Sequence, residues 1–212
     1  MHVPPEHRIT DAAQLAALYG QPGEASRRKE VPFLHPAYRP LVEAAPFAAL
    51  ATVGPEGMDV SPRGDPAGFI HIEDEHTLLL PDRRGNNRID SLRNILADAR
   101  VALLFLVPGM NETLRINGRG TISVDPALCQ RFAVDGKPAR SVLVIDIDTV
   151  FFQCARALLR SKLWQPDSWR PRSALPSTGA LLQALTQDQP APPIDGAAYD
   201  AELPARQAAT LY

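Results

Sequence analysis

The chain has 212 residues and a net charge of −2, with 45% hydrophobic and 22% charged residues. These values exclude a wholly disordered chain, which needs low hydrophobicity and high net charge. The lack of a basic surplus argues against a nucleic-acid partner. Two biases stand out: 21 prolines, and basic residues divided into 19 arginines and 3 lysines. No apolar run approaches the ~20 residues of a membrane span; the longest, Val101 to Val107, stops at Pro108. The opening Met-His-Val-Pro-Pro-Glu lacks the apolar core of a signal peptide, so the expected location is cytoplasmic, with no membrane partner. Cys129 and Cys154 fit neither a disulfide framework nor a compact zinc pattern.

Residues 47–164 hold seven prolines and the remaining 94 residues hold fourteen. Proline blocks helix interiors and central strands. The expected organisation is therefore an N-terminal helical and proline-rich arm, 1–46, a regular core, 47–164, and a C-terminal proline-rich arm, 165–212.

In chain order, Thr10 or Asp11 caps a short helix over residues 10–19, which Gly20-Gln21-Pro22-Gly23 ends. Leu41 to Ala45 reads as a second short helix. Phe47 to Val53, Gly54-Pro55-Glu56-Gly57 and Met58 to Ser61 read as strand, turn and strand. Gly68 to Ile72 and Thr77 to Leu80 form another pair around Glu73-Asp74-Glu75. Arg88 to Ala97 has helical spacing, with Ile89, Leu92, Ile95 and Leu96 on one face. Arg100 to Val107 is a dense apolar strand, and Leu114 to Val124 and Ser141 to Phe152 alternate as strands do. A helix starts at Asp125-Pro126, another covers Ala155 to Leu163, and a third lies near Gly179 to Leu185. Residues 188–212 read as an arm or a partly disordered tail. The strands surround one central helix without regular strand–helix alternation. The expected fold is mainly β with peripheral helices, an antiparallel barrel or α+β arrangement.

Two strand-end loops carry four arginines: Ser61-Pro62-Arg63-Gly64-Asp65-Pro66, and Pro81-Asp82-Arg83-Arg84-Gly85-Asn86-Asn87-Arg88. The second opens the central helix, where free amides and the helix dipole favour anions. Guanidinium groups beside it make a phosphate clamp, and Asn86, Asn87 and Ser91 add neutral donors. The same composition also suits a solvated turn. Arg115, Asn117 and Arg119 share one strand face, turned either to solvent or to a ligand or subunit interface. Trp164 either stacks on a planar ligand or covers the core. Cys154 lies near Arg156 and Arg160 in sequence, as an activated thiol or a buried inert one. His35, His71 and His76 form no metal pattern. No triad or carboxylate pair is evident, so catalytic residues are unassigned and the reactive atom of an enzyme here belongs to a cofactor.

The ordered segments Asp59-Val60-Ser61-Pro62-Arg63-Gly64-Asp65, Gly68-Phe69-Ile70, Leu80 to Arg88 and Asp90-Ser91-Leu92 carry a family resemblance. Asn94-Ile95, Val101 to Phe105, Pro108-Gly109, Glu112 to Gly118 and Arg160-Ser161-Lys162-Leu163-Trp164 continue it. Over about residues 10–185 the chain resembles the pyridoxamine 5'-phosphate oxidase-related, FMN-binding split-barrel flavoproteins. The resemblance implies a six-stranded antiparallel split barrel, a homodimer with FMN bound without a covalent link at the subunit interface, and hydride transfer to or from a small-molecule substrate. By position it implies that Ser61, Pro62 and Arg63 contact FMN from one strand. Leu80, Pro81, Asp82, Asn87, Arg88 and Ser91 do so from the second strand, phosphate loop and helix start. Arg115, Arg160 and Trp164 come from the partner subunit or line the flavin edge. The chain lacks the Arg-x-Val-Leu-Leu-Lys strand and the C-terminal Trp-Gln-Gly and Arg-Leu-His segments of pyridoxamine phosphate oxidase proper, which argues against that vitamin-synthesis activity. The alternatives are a non-catalytic flavin carrier or sensor on the same barrel, and a related barrel holding deazaflavin or haem.

Overall fold

Alternating apolar residues and turn glycines set the strands in a computed structural model that describes residues 2–212. Strands β1 (Phe47–Gly54) and β2 (Gly57–Gly64) form the first hairpin, with Gly57 at φ 120° where a side chain would be strained. They are followed by β3 (His71–Ile72), β4 (Thr77–Pro81), β5 (Arg100–Leu106), β6 (Thr113–Ser123) and β7 (Val142–Gln153). All neighbours pair antiparallel in one sheet of order β2-β1-β5-β6-β7-β4-β3. The seven strands are those read from the sequence, with the Gly68 to Ile72 strand shortened to the two-residue β3; the family resemblance implied six.

One apolar core explains how this sheet curls. Ala48 and Leu50 of β1 share a buried cluster with Leu78 and Leu80 of β4, although β5, β6 and β7 lie between these strands in the sheet. Phe105, Ile116 and Ile145 fill the space between, each at most 1% exposed. The sheet therefore wraps around its own inner face as an open barrel, and β2 and β4 approach each other across the seam. β4 is buried on both faces: Leu79 points to a second cluster with Cys129, Ala139 and Val142. Pro62 lies within β2, which extends three residues beyond the Ser61 read from sequence. An edge strand tolerates proline because its outward N–H has no ladder partner.

The helices are α1 (Ala12–Tyr19), α2 (Glu24–Arg28), α3 (Arg39–Ala44), α4 (Asp90–Ala97), α5 (Pro126–Arg131), α6 (Arg156–Ser161), α7 (Thr178–Thr186) and α8 (Gly196–Ala209). Asp11 caps α1 and Asp125 caps α5. The first arm joins the core through its second half: Val31 bridges Val150, and Leu34, Val42 and Ala45 are buried. The last arm is more ordered than expected. Its α8 runs 14 residues and carries Pro204 in its interior, a residue that sequence reading takes as a breaker. α8 packs on α7 at Gly179 and Gly196, where an added Cβ on Gly179 would lie 2.0 Å from the Gly196 carbonyl oxygen.

Candidate functional site

The barrel seam holds a cavity of about 590 Å³, inside the ~300–1,000 Å³ range of ligand pockets. Ser61, Pro62 and Arg63 line it from β2; Leu80, Pro81 and Asp82 from the end of β4; and Asn87, Arg88 and Ser91 from the loop and first turn of α4. Nine of the expected site residues thus converge, from segments about 20 to 30 positions apart. The other three do not reach this cavity within one chain. Arg115 is exposed on β6, 5.2 Å from the Phe151 ring, and Arg160 is exposed on α6. Trp164 is half-buried and donates its indole N–H to the Met110 carbonyl at 2.7 Å, which ties the α6 segment to the β5–β6 connection.

Two ion pairs lace the seam. Arg63 Nη1 donates to Asp82 Oδ1 at 3.2 Å, and Arg83 Nε donates to Asp65 Oδ2 at 2.9 Å. Arg83 is committed further, because its Nη1 donates to the Phe132 carbonyl at 2.6 Å. The Asp65 side chain is almost fully buried and also accepts from the Tyr212 hydroxyl at 2.6 Å. That bond, with burial and the Asp65 charge, raises the Tyr212 phenol above its ordinary range. Arg83 therefore acts as a structural tie, and Arg63, Arg84, Arg88 and Arg140 are the cavity arginines left to meet a ligand.

Arg63 carries the clearest ligand signal. Its Nε is buried and has no hydrogen-bond partner. A buried donor left without a partner costs about 1–3 kcal/mol or more when charged, and an oxyanion in the cavity would remove that cost. Nearby, Ser91 Oγ donates toward Ser61 Oγ at 3.1 Å, and Ser61 Oγ donates to Asp59 Oδ2 at 3.0 Å. This chain fixes the wall between β2 and α4.

The helix start is open as well. No side chain caps α4, so its first amides stay available. Asn87 and Ile89 hold positive φ, 61° and 51°. Asparagine tolerates the left-handed region, but a β-branched residue there is strained. Such strain gathers where surroundings over-determine the backbone for a task. Arg88 is exposed and paired with Asp90 at 2.9 Å.

Sequence reading missed Arg140, which lines the cavity and donates to Asn87 Oδ1 at 2.8 Å. Its signal was the β4–β7 register. Pro81 pairs with Val142, so the residues before β7 lie beside those after β4. Asp59 and Phe69 also line the cavity. Neither cysteine lines the cavity; Cys129 is buried, and Cys154 is exposed rather than the buried thiol offered by the sequence. Among the described residues no group of three or more His, Cys, Asp or Glu could hold a metal, and no helix is long and apolar enough to cross a membrane.

An antiparallel sheet curled into an open barrel, with an arginine-lined cavity in its seam, defines a split-barrel protein. The family model described as pyridoxamine 5'-phosphate oxidase matches residues 34–154. That is more than half the chain, and the chain belongs to this family of flavin-related oxidoreductases. Comparison with curated proteins gave no match. Similar solved structures include a HupZ variant from Group A Streptococcus, at 15% identity and a TM-score of 0.48, over 57% of this chain and 99% of that one. Another is a Clostridium acetobutylicum protein related to general stress protein 26, of the pyridoxinephosphate oxidase family, at 16% and 0.44, over 55% and 85%. General stress protein 26 from Bacillus anthracis follows at 14% and 0.41, over 54% and 88%.

Proposed function

We propose that this chain is an FMN-dependent oxidoreductase acting on a small-molecule substrate. The observation that carries the reading is the buried, unpartnered Arg63 Nε in a cavity with five arginines against three aspartates. Family membership supports a flavin. The donor set fits its phosphate: Arg63, Asn87, Arg88 and the uncapped α4 amides supply only N–H groups to an oxyanion. Leu80 and Pro81 give the apolar wall that a planar ring needs, and the Ser61–Ser91 pair offers hydroxyls to a polyol chain.

FMN bound here would supply two-electron hydride chemistry. The chain's own residues hold the phosphate, orient the ring and shield its inner side from water. The reading includes a homodimer in the cytoplasm. Arg115, Arg160 and Trp164 lie outside the cavity of their own chain, so they serve the flavin only from a partner subunit.

The test is the visible spectrum of purified protein with mass spectrometry of the released ligand, run beside sedimentation. The expected result is bound FMN in a dimer. Released deazaflavin or haem would replace FMN in this reading. Bound FMN that passes no electrons to any acceptor would leave a carrier or sensor. A colourless protein unaffected by added FMN would overturn it, and a monomeric flavin-loaded protein would remove the partner roles.

A further inference from the structure

A second cavity of about 240 Å³ adjoins the first. Asp82, Arg83, Arg84 and Arg140 line both, so the two spaces share their most cationic wall. Lys137 and Tyr212 belong to the second cavity alone. We propose that this second cavity is an anion subsite that binds a phosphate- or carboxylate-class group beside the main cavity.

The charge balance carries the argument. Four cationic side chains line the second cavity: Arg83, Arg84, Lys137 and Arg140. Its one acidic lining residue, Asp82, is already engaged by Arg63 at 3.2 Å. Arg83 is tied to Asp65, and Arg140 uses one donor on Asn87. The Arg84 and Lys137 side chains make no hydrogen bond or ion pair among the described residues. Solvated lysine and arginine repel one another when gathered around a concave site, and a bound anion relieves that repulsion.

The backbone holds this wall in place. Val134 and Lys137 exchange two backbone hydrogen bonds, at 3.0 and 2.9 Å, across Asp135 and Gly136, both at positive φ. That is the geometry of a tight two-residue hairpin turn, which fixes the position of Lys137. On the opposite side the Tyr212 hydroxyl is anchored on Asp65 at 2.6 Å. Asp135 lies close enough to Tyr212 to act on it electrostatically.

The anion has two possible sources. It is either free, as part of a small substrate, or joined through the phosphate of a flavin held in the main cavity. Calorimetric titration of the full chain with inorganic phosphate and inorganic pyrophosphate, with and without FMN loaded, separates the two. The variants are Lys137→Ala and Lys137→Arg, at an exposed position. A free-anion subsite predicts that phosphate binds the FMN-loaded protein, with affinity reduced about tenfold by Lys137→Ala and restored by Lys137→Arg. A tethered anion predicts that pyrophosphate competes with FMN, and that FAD loses affinity in Lys137→Ala while FMN does not. Anion binding unchanged by Lys137→Ala, or no anion binding at all, would overturn the subsite. Failure of FMN alone to bind would overturn the flavin reading and leave the phosphate titration of the unloaded chain to decide this one.

Discussion

The β6–β7 pair and the Asp82–Ile89 segment lie on adjoining parts of the same barrel and are built in opposite ways. β6 and β7 pair over eleven residues of β6, with buried side chains alternating toward the core. A single irregularity near Asn117 and Gly118 interrupts the register. The Asp82–Ile89 segment makes few backbone bonds, among them Asp82 N–H to the Ser141 carbonyl at 2.9 Å. It carries two residues at positive φ and opens a helix with no side-chain cap. The paired region satisfies its polar groups internally. The segment ties Arg83 and Arg88 to carboxylates but leaves Arg84 and the uncapped start of α4 without side-chain partners. The cavity thus lies where the backbone is least committed, beside a scaffold that is fully paired.

The largest effect should come from disturbing the scaffold. A Cβ on Gly118 would lie 2.2 Å from the Asp146 carbonyl oxygen, which is backbone and cannot swing away. Gly118→Ala should destabilise the fold by about 3 kcal/mol, lowering the melting temperature by roughly 6–12 °C. A melting curve matching the parent would contradict the rigid close approach.

A change in the segment should act in the other direction. Ile89→Asn keeps a residue that tolerates the left-handed region and removes the β-branched strain. The expected gain is about 1 kcal/mol, read as a rise of roughly 2–4 °C. A loss of stability would mean that the half-exposed Ile89 side chain contributes more through packing than its backbone costs.

The smallest effect concerns pH. The Tyr212 phenol is held above its ordinary range by its hydrogen bond to Asp65, by burial and by the Asp65 charge. Because the folded-state value is raised, the stabilisation is fully present below the ordinary phenol value of about 10. It is lost as pH rises through the higher folded value. Ultraviolet titration should show one late phenol that disappears in Tyr212→Phe. Its absence from the parent would contradict the docking of Tyr212 beside the seam.

The fold was legible because its signals are local. The hairpin at Gly54–Gly57, the dense strand from Arg100 and the apolar stripe of α4 each follow from residues within a few positions. α8 was hidden because Pro204 argues against a helix locally, while the Gly179–Gly196 contact that supports it is long-range. The cavity was readable in outline because Arg63 and the Asn86–Arg88 segment stand at strand ends. The division of labour among the arginines was not. Arg83 and Arg84 are neighbours in sequence, yet Arg83 is held by Asp65 and Phe132 while Arg84 faces both cavities. Arg140 lies in the loop just before β7 and is placed beside the end of β4 by the β4–β7 register. Pairing of distant strands fixed these roles, and no local pattern encodes it.

The central claim is that Arg63 and its neighbours hold the phosphate of a flavin in the barrel seam. Fluorescence titration of the flavin-free protein with FMN tests it, comparing Arg63→Ala and Arg88→Ala with Arg100→Ala and Arg131→Ala. Arg100 and Arg131 are paired outside the cavity, with Asp98 and Glu73. The account predicts a loss of affinity of about tenfold or more for Arg63→Ala, a smaller loss for Arg88→Ala, and parental affinity for the two controls. Equal affinity in all five proteins, or no FMN binding by the parent, would contradict it.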